Sequence, residues 1–127
     1  MVRSAIAVVD DMFFVSKIRA TGKALGMIVT FPRTVEALRA AINDEVPHLI
    51  IVDLHNTKVD AFELATELKQ SEVLKDIPLL GFFSHVQAEL QRRAAAAGYD
   101  EVLPRSLFAR DLAHLLAGQI KSNKLDG

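Results

Sequence analysis

The chain contains no cysteine. That excludes a disulfide framework and thiolate chemistry, and it fits a reducing compartment. There is no apolar run of the roughly 20 residues a membrane-spanning helix needs. The N-terminus carries Arg3 but no apolar stretch closed by a small-residue cleavage site. Neither sign of charge dominates, since 15 Lys and Arg face 16 Asp and Glu. Whole-chain charge therefore gives no argument for nucleic acid or an acidic membrane as partner. Glycine is scarce, with six in all and none before Gly22. Internal repeats and linkers are lacking too. These absences predict a cytoplasmic protein without direct nucleic-acid or membrane contacts.

What is present is a core. Half of the 127 residues are apolar and 24% are charged, which suits one globular domain over residues 1–127 held without staples. Short β-branched runs alternate with segments of helical period. Residues 4–9, 27–31, 49–53 and 78–83 read as strands, with 100–103 a weaker fifth. These runs are apolar on both sides, as in a parallel sheet covered by helices on both faces.

The first helix is carried by Phe14, Ile18 and Leu25, the second by Val35, Leu38 and Ile42. Phe62, Ala65 and Leu68 share a face of the third, and Val86, Leu90, Ala94 and Ala97 one of the fourth. The last starts near Leu107 and uses Phe108, Leu112, Leu115 and Ile120, while the tail at 121–127 has no buried face and should fray. Pro32 with Thr34 introduces the second helix, and Asp60 with Glu63 forms a capping-box pattern before the third. Five βα units with right-handed crossovers give a doubly wound α/β sheet. Its two common strand orders are the dinucleotide-binding one and the flavodoxin-like 2-1-3-4-5.

Sites in such sheets form outside the carboxyl ends of the strands. In the flavodoxin-like order, strands one and three are neighbours about 4.8 Å apart. Asp10 and Asp11 end the first and Asp53 ends the third, so two distant segments would bring three carboxylates together. Left empty, the cluster favours protonation of one member. A hard cation such as Mg²⁺ removes that repulsion. Asp53, alone at the end of the central strand, is also the better nucleophile toward phosphorus. The simpler account is that strand ends are where polar turn formers begin. A dinucleotide or P-loop site is disfavoured, because the first strand runs into "DDMFF" with no glycine-rich loop. The same two negative charges would repel a flavin phosphate.

Four stretches carry a likeness over essentially the full chain: "VVDD" (8–11), "LIIVDLHNTKVDAFEL" (49–64), "IPLLGFFS" (77–84) and "AAGYDEVLPRSLF" (96–108). They resemble the receiver domain of two-component response regulators. The resemblance implies a (βα)₅ three-layer sandwich in order 2-1-3-4-5, bound Mg²⁺, and a phosphoryl group taken from a histidine kinase onto the aspartate after strand three. On this reading Asp10 and Asp11, with Asp53, hold the metal, and Asp53 is the phosphoacceptor. Asp60 matches the aspartate of the family's "MPxMDG" loop, whose proline and glycines are gone, with Thr57, Lys58 and Ala61 in their place.

Other departures are as informative. The family's conserved lysine after strand five falls on Arg105, a planar fork in place of a compact ammonium. The proline that follows that lysine is replaced by Ser106, and Pro104 now precedes the cation. A trans Arg105–Ser106 bond is expected to re-aim this loop. The hydroxyl expected at the end of strand four falls on Phe83, with Ser84 one residue later. A one-residue slip reverses the face of a strand side chain. Ser84 therefore serves as the switch hydroxyl only if the strand bulges or ends early; otherwise Ser84 with Gln87 is a helix cap. Val102 stands where the family has an aromatic.

His55 and His85 follow strands three and four, and could flank the acidic mouth as a transition-metal or pH-sensing pair. The bland reading is two loop histidines. His48 and His114 lie away from it. Arg92 and Arg93 lie opposite an apolar helix face and read as solvated. Resemblance makes the helix four, strand five and helix five side the expected protein-contact face, in a monomer or weak homodimer.

Three functions follow. One is an atypical receiver with Asp53 phosphorylated by a histidine kinase or phosphotransfer protein, its only activity self-phosphorylation and dephosphorylation. Another is a pseudo-receiver acting through protein contacts without phosphorylation. The last is a metal-dependent hydrolase on the same sheet, disfavoured because His55 stands where a second carboxylate would act as general acid.

Overall fold

The computed structural model describes residues 3–84 and 88–118. Five parallel strands form one sheet: β1 (Ser4–Val8), β2 (Ile28–Thr30), β3 (Leu49–Asp53), β4 (Leu79–Phe83) and β5 (Glu101–Pro104). Their order is β2-β1-β3-β4-β5, the flavodoxin-like one. Between them run α1 (Met12–Ala24), α2 (Val35–Asp44), α3 (Ala61–Lys69) and α4 (Ala88–Ala97). After β5 come α5 (Arg105–Arg110) and α6 (Leu112–Leu116).

The two-sided apolar strands divide their side chains by parity. Ile6, Val8, Ile50, Val52, Leu79 and Phe83 face α2, α3 and α4. Ala5, Ala7, Val9, Leu49, Ile51, Leu80 and Phe82 face α1, α5 and α6. Phe82 stacks on Phe108 with ring centres 4.3 Å apart, and Phe14 leans on both. On the other face Tyr99 is buried and donates its hydroxyl to the Ala61 carbonyl at 2.8 Å. Gly81 makes room for that ring, since a Cβ there would stand 3.0 Å from Tyr99 Cδ2.

Caps fall where the sequence puts them. Thr34 accepts from Ala37 N–H, and Asp60 accepts from Phe62 and Glu63 N–H. Helix α4 ends at Gly98, φ 123°, with Tyr99 N–H reaching back to the Ala94 carbonyl. Lys69 ties the far end of the sheet, donating to the Lys75 and Ile77 carbonyls and to Asp100 at 3.1 Å.

Three expectations change, those for the last helix, Leu25 and Arg93. The last helix begins at Arg105, not Leu107, and bends at Asp111 (φ −102°, ψ 14°), although hydrogen bonds on either side continue. Leu25 is exposed just past α1. Arg93 is not merely solvated, because its guanidinium lies 4.2 Å above the Phe62 ring. Val86, Gln87, His85, Ile120 and the tail at 121–127 lie outside the described residues.

Candidate functional site

The carboxyl edge of the sheet is built around the ends of β1 and β3. Asp11 follows β1 and caps α1: its Oδ1 accepts from Phe13 N–H at 2.8 Å and Phe14 N–H at 3.3 Å. Its Oδ2 is left facing Arg105, whose Nη2 is 3.9 Å away. Asp53 closes β3 and turns the chain. Its Oδ1 accepts from His55 N–H at 2.9 Å, and its carbonyl accepts from Asn56 N–H.

Burial pushes the Asp53 carboxyl above its ordinary value. The His55 hydrogen bond and imidazole oppose that shift, Asp11 adds to it, and Arg105 opposes it. Asp11, Asp53 and Arg105 therefore share one electrostatic neighbourhood. Arg105 is steered there by Phe14, with its guanidinium carbon 4.8 Å from the ring centre.

Asp10 looks elsewhere. Its Oδ1 is 3.9 Å from Arg33 Nε and its Oδ2 is 3.7 Å from Lys58 Nζ. Among the described residues no group of three or more His, Asp or Glu side chains is arranged to hold a metal ion. The donor chemistry still suits a hard cation: Asp53 keeps one carboxylate oxygen beyond its bond to His55 N–H, and Asp11 keeps one that only Arg105 faces, at 3.9 Å. The structure places Asp11 within electrostatic reach of Asp53 and turns the third predicted ligand to basic side chains.

Asn56 was missed in the sequence. Its Oδ1 accepts from Lys58 N–H at 2.8 Å and Val59 N–H at 3.0 Å, and its amide donates to the Val8 carbonyl at 3.5 Å. The signal was there: asparagine three residues after a strand end is a local turn former. Phe14 was read only as core, and its hold on Arg105 needs the tertiary fold.

Strand β4 runs through Phe83, which pairs with Pro104 and is buried. Ser84 follows it, exposed. A ring thus fills the position where a hydroxyl was sought. No cis peptide bond occurs among the described residues. Pro104 directly precedes α5, so Arg105 and Ser106 open a helix in place of the expected loop. Val102 is buried against the α3 and α4 side. His55 borders the mouth, whereas His48 accepts from Ser4 N–H at 3.0 Å at the opposite edge.

This sheet order with two helical layers defines the flavodoxin-like (βα)₅ class. The chain has the fold of response-regulator receiver domains. Its structure matches the chemotaxis response regulator CheY4 of Vibrio cholerae with TM-score 0.79 at 18% identity, over 92% of this chain and 98% of that one. It matches the phosphorylated cyanobacterial phytochrome response regulator RcpA with TM-score 0.77 at 18% identity, over 94% and 91%. The orphan response regulator HP1043 of H. pylori gives TM-score 0.71 at 15% identity, over 91% of each chain. No protein-family model and no curated protein matches the sequence. Among the described residues no helix is long and apolar enough to cross a membrane.

Proposed function

We propose that this chain is an atypical receiver domain of intracellular signal transduction, taking a phosphoryl group on Asp53 from a histidine kinase or phosphotransfer protein. The carrying observation is the convergence of Asp53 and Asp11 from β3 and β1 beside Arg105. Asp53 Oδ1 is occupied by His55 N–H, so Oδ2 is the attacking oxygen. It forms the new O–P bond as the P–N bond of the donor breaks, and the electron pair returns to the imidazole nitrogen, which takes a proton. Arg105 neutralises charge on the phosphoryl oxygens and orients them. Mg²⁺, held by Asp11 and Asp53, would supply further charge neutralisation when bound. Asp10 joins that set only when its ion pairs open. Ser84, exposed just past β4, would follow the phosphoryl group only if the strand end shifted by one residue, because Phe83 fills that position. The α4-β5-α5 side is the proposed protein-contact face, in a monomer or weak homodimer.

A second reading, an interaction module without phosphorylation, is favoured by one observation: buried Phe83 leaves the strand-end position without a hydroxyl. Amide shifts recorded with Mg²⁺ and beryllofluoride, for wild type and Asp53→Asn, separate the two. The phosphoacceptor reading expects mimic-dependent shifts at Asp53 and Arg105 that vanish in Asp53→Asn. Metal shifts without a mimic response would leave the interaction module.

A further inference from the structure

Three carboxylates surround the mouth, and three cations answer them: Arg33, Lys58 and Arg105. Two of these three act on the single residue that the metal reading needs and the structure turns away. The contacts to Asp10, at 3.9 and 3.7 Å, exceed hydrogen-bond length. They are ionic and exchangeable, and each Asp10 oxygen faces a different base.

Lys58 does not reach Asp10 from an unconstrained loop. Asn56 accepts from the Lys58 N–H itself, and its amide is bonded to the Val8 carbonyl, two residues before Asp10. The loop carrying the ammonium is thus linked, by a long 3.5 Å contact, to the end of β1, two residues before the carboxylate. A tethered group competes at the high effective concentration of a short linker.

We propose that Lys58 is a built-in monovalent stand-in for the divalent cation, which with Arg33 holds Asp10 out of the metal set and lowers the affinity of the mouth for Mg²⁺. This rests on the reading that the mouth takes Mg²⁺ at all. A divalent ion must displace Lys58 to recruit Asp10, so apparent affinity falls by the stability of the pair it breaks. With Lys58 half exposed, a modest factor follows, about two- to fivefold.

The test is a Mg²⁺ titration followed by amide shifts, which needs no phosphorylation. Lys58→Met is expected to bind about two- to fivefold more tightly than wild type. Lys23→Met, a matched charge loss in the last turn of α1, is expected to bind like wild type. In an Asp10→Asn background the Lys58→Met gain should disappear. If wild type and Lys58→Met bind Mg²⁺ equally, or if the gain survives Asp10→Asn, the stand-in role is overturned while the metal site stands. If none of these proteins responds to Mg²⁺, both the stand-in and the metal reading fall.

Discussion

Asp53 is a carboxylate placed where charge is disfavoured. Burial raises it above its ordinary 3.8, so the folded state holds its proton more tightly than the unfolded chain does. The stability linked to that proton is complete below about pH 3.8 and is lost as pH rises through the raised folded value. Ionised Asp53 therefore weighs against the fold at neutral pH. Asp53→Asn keeps an acceptor for the His55 N–H and removes the charge. It is expected to raise the thermal midpoint at neutral pH, with the gain fading in acid. Thermal melts across that range check it, and equal melts at every pH would contradict it.

The three acidic residues and their strand ends were legible at this scale, because apolar runs that stop in carboxylates mark where the sheet meets solvent. The partner of Asp10 was not. Arg33 and Lys58 arrive from two different loops, and only the Asn56 turn aims the second of them.

At the scale of elements, the aromatic contacts joining α1, β4 and α5 do two jobs. Phe14, Phe82 and Phe108 fill the layer between sheet and helices. Phe14 also supports Arg105, so packing and site share a residue. Phe108 is fully buried. Phe108→Ala is expected to cost about 3–5 kcal/mol, measured by denaturant unfolding. Phe13→Ala, next to Phe14 but 62% exposed, should stay within about 0.5 kcal/mol.

Strands and the first three helices followed from periodicity and caps within a residue or two. The start of α5 did not. A trans Arg105–Ser106 bond suggested a re-aimed loop, yet Pro104 at φ −66° is a suitable entry to a helix. Asp111 then bends the ladder where the apolar pattern by itself runs on unbroken.

Across the whole molecule, stability should grade from the centre of the sheet outward. β1, β3 and β4 are buried along nearly their full length, whereas β2 is a three-residue edge strand with Ile28 57% exposed. Amide hydrogen exchange is expected to be slowest in β1, β3 and β4 and to begin earlier in β2. Uniform protection across the five strands would contradict this.

The sequence by itself determined the alternation of strands and helices, the two-sided burial of the sheet and the edge on which acidic groups collect. Each of these depends on side-chain pattern over a few neighbouring residues. Tertiary structure decided which charges meet: Asp11 and Asp53 beside Arg105, Asp10 between Arg33 and Lys58, and Phe83 in the core at the end of β4. Those pairings join segments far apart in the chain, and a displacement of a few ångströms in a loop is enough to exchange a carboxylate's partner. Local pattern carries no information on that length scale.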